Sequence, residues 1–462
     1  MSVPGDGDKV PQTGLVDMGD IGFYGDNITP IQPFTLSDLD SFTGNIATGS
    51  ISEMVLNVTW AQLQPTQGGA LTTTAIDDAI NLVNKYNEAN GTTLGLKLRV
   101  WGGYTAPLWA QNIDGPPITI NGQRAVDPDN YESQTIGRFW TADYVAAWTS
   151  FQNALALIYD GNSVIRGISN TAGAAATDEP FVPLSGAAPI SSAPQAPTVN
   201  QIAQTQAAGY TDAAQMLTLR AAIADYSQWA TTPLDYTMNL FHLQDSGKTS
   251  ASENFTLAVL QQARNSTRLV QAGNHALNNP LPSSDAFIYY QMAADAALDP
   301  AAPPGSYQTA APNNLKKNAS QGSFPSWGDY ADWPNAIANG VAANAGDIEL
   351  WDSNTGFLGL SPSQLAFLAA TVAAGIPPTA NAPDDGSPLG FIAPAFVTGA
   401  PGAIAFSGTN AVLLASAADT VFALTLTSLQ GGTLGGTDFY GIVIGPTHGA
   451  TLSLLGTLPQ VN

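Results

Sequence analysis

The chain holds only six glutamates among its 36 acidic residues. One of them, Glu179, sits between Asp178 and Pro180 at the end of the bland run NTAGAAATDEPF. A carboxylate before a proline is ordinarily a turn residue. In a shielded pocket, however, burial raises its pKa and makes it a proton donor. Glu349, in the run DIELWD, is another of the six and lies at a strand end. Around these stand residues suited to a polyhydroxyl ligand: Trp60, Arg99, Trp101, Asn170, His242, Asn274, His275, Gln308, Trp327 and Trp351. Aromatic faces stack on C–H surfaces, and amides and carboxylates pair with hydroxyls. Taken singly, each has a plainer reading. A tryptophan at a strand end is ordinary core, His242 is a satisfied structural histidine, and Arg99 reads first as the neutraliser of an inner carboxylate. Their clustering points to a site.

The elements that must position these residues alternate between short apolar runs and amphipathic helices from about 15 to 376. The runs GLVDMGDIGF (14–23), EMVLNVTW (53–60), TLGLKLRVWGG (93–103), VIRGISNT (164–171), DYTMNLFHLQD (235–245), TRLVQAGNH (267–275), GSYQTAAP (305–312) and DIELWD (347–352) read as strands. Helices are expected over 74–91, 141–161, 210–230, 251–264, 285–298 and from Pro362 to Gly375, with Thr74, Thr141 and Ser284 as caps. Eight strand-helix units in one run indicate an α/β fold, a (β/α)8 TIM barrel, in which sites lie at the C-terminal strand ends. Those ends carry Asp20, Phe23 and Tyr24, then Trp60 and Gln62, then Arg99, Trp101 and Tyr104, then Asn170 with Glu179 beyond. The later strands bring His242, Gln244 and Asp245, then Asn274 and His275, then Gln308, and finally Glu349 and Trp351. The glycines of MGDIGFYGDN are followed by no helix, which rejects a dinucleotide fingerprint.

Residues 1–376 are thus assigned to the barrel, 377–392 (PPTANAPDDGSPLGFI) to a Pro/Gly/Asp-rich linker, and 393–462 to a small all-β sandwich-like module. That last segment weakly resembles the repeated β-sandwich domains of bacterial adhesins. A net charge of −23 disfavours nucleic acid and anionic membranes. No cysteine is present, which removes disulfides and thiolate chemistry. No apolar run of membrane-spanning length occurs. The acidic, cysteine-free composition suits an extracellular or cell-surface setting, although no signal peptide is visible. Asp6-Gly7-Asp8 and Asp127-Pro128-Asp129 lack the spacing of a twelve-residue calcium loop. A zinc set of His242, His275 and Asp245 has no helix motif behind it, so neither metal nor cofactor is expected.

The stretches LKLRVWGGYTAPLW, RFWTADYVAAWTSFQNALALIYDG and VIRGIS…TDEPF together resemble the clan of retaining TIM-barrel glycoside hydrolases. The resemblance implies a carbohydrate substrate, a β-linked polysaccharide, and makes Glu179 the general acid/base, with Asp178 in place of the clan's asparagine. It places the nucleophile after the seventh strand, near Ala310, where no carboxylate stands. Three explanations remain open there. Glu349 is the second carboxylate, or catalysis has been lost and sugar binding kept, or a glutamate near 310 has been replaced. A non-catalytic carbohydrate-binding protein and a structural surface subunit assembling through the C-terminal module are the alternatives to an enzyme.

Overall fold

The computed structural model describes residues 9–18, 49–121, 133–174, 179–180, 187–189, 195–241, 252–299, 301–316, 325–351 and 359–375, with short strands beyond residue 403. Eight parallel strands carry the fold: β1 (Gly14–Asp17), β2 (Ile51–Thr59), β3 (Gly95–Trp101), β4 (Ile165–Ser169), β5 (Leu234–Thr237), β6 (Val270–Gly273), β7 (Gly305–Gln308) and β8 (Ala345–Leu350). Their ladder runs β6-β5-β4-β3-β2-β1-β8-β7. Just past the ends of β6 and β7, main-chain hydrogen bonds join the two edges. Gln308 N donates to Asn274 O (3.1 Å), Leu277 N to Gln308 O (3.0 Å) and Ala310 N to Leu277 O (2.7 Å). With this closure the sheet is an α/β barrel of the expected type. Gly273 is required at the seam, because a Cβ there would run into the Ser306 carbonyl.

Helices cover the outside: α1 (Thr74–Asn90), α2 (Ala142–Tyr159), α3 (Asp212–Ala224), α4 (Glu253–Arg264), α5 (Ala286–Leu298), α6 (Trp333–Ala342) and α7 (Pro362–Ala374). The spacing of Ile76, Ile80, Val83 and Tyr86 puts them on the buried face of α1, and Gly91 ends that helix at φ 65°. Ser361 and Gln364 form a capping box that opens α7. The caps of α1 and α5 are Thr73 and Asp285, each one residue from the expected Thr74 and Ser284. Helix α6 is not legible from sequence, since WPNAIANGVA is rich in Asn and Gly and is buried all round. Gly340 lets it settle on the sheet, with Ile348 and Leu277 side chains where a Cβ would lie.

The apolar core lies between strands and helices, spanning Leu15 to Val372. The barrel interior is different. Such interiors are ordinarily filled by Val, Ile and Leu. Here the ladder register aligns Val55 with Lys97, Asn57 with Arg99, Ser169 with Asp235, Asp235 with Gln271, Ser306 with Asp347 and Gln308 with Glu349. Residues so aligned share one face, and the hydrogen bonds described below cross the barrel axis, so this face is the inner one. The floor is sealed by the segment before β1. Gln12 sits over Gly167, donates from Nε2 to Glu53 and exchanges hydrogen bonds with Gln271. Lys9 Nζ donates to Asn162 O, Ile165 O and Thr232 Oγ1.

Beyond the barrel, Ile404–Ser407 pairs antiparallel with Asn410–Leu413, and Phe422–Ala423 pairs with Leu452–Ser453. The rest of the expected all-β module and the linker 377–392 lie outside the described residues. So do Asp20, Phe23, Tyr24, Asp178, His242, Gln244, Asp245 and the two Asp-x-Asp turns.

Candidate functional site

Strand parity sorts the candidate residues. Positions in step with Lys97, Asp235 and Asp347 face inward: Arg99, Trp101, Gln308 and Glu349 within the strands, and His275, Ala310 and Trp351 just past their ends. Positions out of step face the helices. Trp60 follows the inward Thr59 and is wholly buried against Trp109, Tyr144, Trp148 and Phe151. Its indole N–H donates to Gln64. Trp60 is therefore a core residue rather than a sugar platform. Asn274 is corrected in the same way. Its Nδ2 donates to Met238 O, and its Oδ1 accepts from Ala276 N and the Tyr289 hydroxyl, so the amide is spent on the β6–α5 junction. Trp101 is buried, and its indole donates to Asn57 Oδ1. Trp327 packs edge-on against Phe367 on α7, away from the inner face.

Beneath the mouth lies an ion network that the sequence reading anticipated only at Arg99. The Arg99 guanidinium donates from one nitrogen to both oxygens of Glu349, at 2.7 and 2.8 Å. Lys97 Nζ donates to Glu349 at 2.9 Å, to Asp347 at 2.8 Å, to Ser306 at 3.0 Å and to Asp235 at 3.4 Å. Gln308 Nε2 completes Glu349 at 3.0 Å. Every one of these side chains is buried. Burial alone would strip the Lys97 ammonium of its proton, but Asp235, Asp347 and Glu349 hold its pKa well above the usual lysine value. Burial likewise pushes Glu349 up, and Arg99, Lys97 and His275 outweigh it, holding the carboxyl well below its usual range. Glu349 is therefore an anion at any ordinary pH. Alternation along β3 (Lys97, Arg99) and β8 (Asp347, Glu349) was the available sequence signal, because two charges at i and i+2 on a strand share one face.

The fourth strand empties into a tight turn. Ala172 and Gly173 both adopt positive φ (53° and 64°), and Gly173 packs its main chain on Gly102 where a Cβ would clash. Gly103 N and the Tyr144 hydroxyl both donate to Gly173 O. The small residues of NTAG are thus there for close backbone approach. Asn170 is buried, with Oδ1 accepting from Ala172 N and Nδ2 without a hydrogen bond to any described residue. Glu179 is half-buried beyond this turn. Its charge reaches the Tyr289 hydroxyl, whose pKa is raised first by burial and also by Tyr307, Asp285 and Glu179. Near β6, His275 is half-buried with Nε2 at 2.8 Å from Thr237 Oγ1. Half-buried Trp351 donates its indole N–H to Thr309 O.

No family model matches the chain. No curated protein matches it either. Solved structures that share its course include endo-glycoceramidase II from Rhodococcus sp., at 15% identity over 76% of this chain and 75% of that one, TM-score 0.40. The catalytic domain of beta-amylase from Paenibacillus polymyxa matches at 10% identity over 75% and 93%, TM-score 0.46. The GH5_18 protein from Bifidobacterium longum subsp. longum matches at 13% identity over 79% and 81%, TM-score 0.45. The assignment of the barrel rests on its own ladder and closure.

Proposed function

We propose that this chain is a carbohydrate-active barrel that takes a β-linked polysaccharide at its mouth and uses Glu179 to protonate the leaving glycosidic oxygen. The contrast between its two glutamates carries the reading. Glu349 is sealed in as an anion by Arg99, Lys97 and Gln308, whereas Glu179 is half-buried on the loop after β4. Two carboxyls in opposed environments are what a division into proton donor and fixed anion needs. Half-buried Trp351 and His275, in step with the inner face just past their strands, support an aromatic and a polar wall for the mouth. The acidic, cysteine-free composition suits action outside the cell.

A second reading is binding without cleavage. The full hydrogen bonding of Glu349 favours it, because a nucleophile must give up a partner to reach a sugar carbon. Aryl β-glycosides and polysaccharides offered to the wild type and to Glu179→Gln separate the two. Cleavage by the wild type that falls about 10²–10⁴-fold in Glu179→Gln, with retained binding in polysaccharide affinity gels, supports the first. Equal rates sink Glu179 as the acid. Binding without turnover in the wild type establishes the second.

A further inference from the structure

Inside the barrel the described side chains do not balance in charge. Two cations, Lys97 and Arg99, face three carboxylates, Asp235, Asp347 and Glu349, all buried, while the fourth buried acid, Glu53, keeps its proton up to about pH 7. Unpaired buried charge is costly, and such groups are found paired or on metals. The imbalance has a locus. A carboxylate oxygen of Asp235, a ring nitrogen of His275 and a carboxylate oxygen of Glu349 all lie within 4.8 Å of one another. Asp235 is 1% exposed. Its Oδ2 has only long contacts, 3.3 Å from Ser169 Oγ and 3.4 Å from Lys97 Nζ. Its Oδ1 accepts no hydrogen bond from any described residue.

From these observations we infer that Asp235, His275 and Glu349 form a seat for a divalent, zinc-type ion just beneath the barrel mouth. One imidazole nitrogen with two carboxylate oxygens is a borderline donor set, which suits zinc better than calcium or magnesium. The outer contact is of the right kind. When the Thr237 hydroxyl accepts from His275 Nε2–H, at 2.8 Å, the tautomer is fixed and Nδ1 becomes the metal-binding lone pair. Bonds of about 2.0–2.2 Å require donors roughly 3.4 Å apart, so the three side chains draw together by about an ångström on binding. Glu349 lends one lone pair as Gln308 or Arg99 loosens. The three ligand groups lie buried together, and the His275 Nδ1 atom is itself shielded from solvent. The inference does not depend on a glycan being the ligand.

The test uses the full chain stripped of metal by chelation and dialysis, then titrated with zinc sulfate in a calorimeter. Asp235→Asn and His275→Ala are titrated beside it, with metal-free melting curves to show that each is folded. One ion per chain is expected, with affinity at least about tenfold weaker in both variants, since ligand contacts are worth this much or more. Cobalt added to the wild type develops visible absorption bands that His275→Ala lacks. Should Asp235→Asn fail to fold, His275→Ala carries the test, because that residue is half-buried. Equal zinc affinity in wild type and His275→Ala would assign the ion to surface carboxylates and overturn the site. The absence of saturable zinc binding overturns it as well.

Discussion

Among single residues, Glu53 has the most direct consequence in solution. It lies on the barrel floor, where burial raises its pKa from 4.5 to about 7; the Gln12 hydrogen bond, Lys97 and Arg166 lower it, and Asp347 raises it. The native state therefore keeps this proton at a pH where the unfolded chain has released it. The stabilisation is complete below about 4.5 and is lost as pH rises through about 7, and it amounts to of order 3 kcal/mol. Asp225, raised by burial from 3.8 to about 6 against the Thr149 hydrogen bond, acts in the same sense. Urea midpoints are expected to be higher at pH 5 than at pH 8, and Glu53→Gln flattens the difference. A midpoint that rises from pH 5 to pH 8 contradicts this account. Arg99 as neutraliser of an inner carboxylate followed from its strand position, and Glu349 is that carboxylate. Trp60 and Asn274 were misplaced for one reason: they stand one residue out of step, and strand parity decides which wall a side chain joins.

Among elements, helices with a regular apolar stripe and stop signal were readable to within a residue or two, as α1 and α7 demonstrate. Helix α6 was not. Its Asn and Gly residues oppose helix formation, and only its burial between β8 and the β6 loop stabilises it. The seam between β6 and β7 gives the sharpest prediction at this scale. Gly273→Ala forces a methyl into the Ser306 carbonyl. It is expected to cost more than about 4 kcal/mol, or to yield no soluble protein, because backbone on both sides must move. Ser361→Ala removes only the α7 capping box and is expected to cost about 1 kcal/mol in urea unfolding. Comparable losses in the two variants would show that the seam is not the constraint.

For the whole molecule, the apolar core of the described residues runs from Leu15 to Val372, and the floor is held by Lys9 and Gln12. A chain truncated after residue 376 is therefore expected to melt within about 2 °C of the full chain and with one transition, since a change of 1 kcal/mol moves a large domain by about 2–4 °C. A drop beyond that, read by calorimetry, means the last 86 residues contribute to the barrel core.

By itself, the sequence determined that eight strand-helix units form a barrel, because hydrophobic periodicity and helix stop signals are local properties. It also marked the two glutamates by their rarity, Glu349 on the last strand and Glu179 beyond the fourth. Only the tertiary structure decided that they occupy opposed environments. Parallel strands far apart in the chain bring Lys97, Arg99, Asp235, His275, Asp347 and Glu349 across one narrow interior, and no local pattern encodes that meeting. In that low-dielectric space each charge is set by its partners across the axis. Glu349 is fixed as an anion there, while Glu179 stays half-buried beyond the fourth strand.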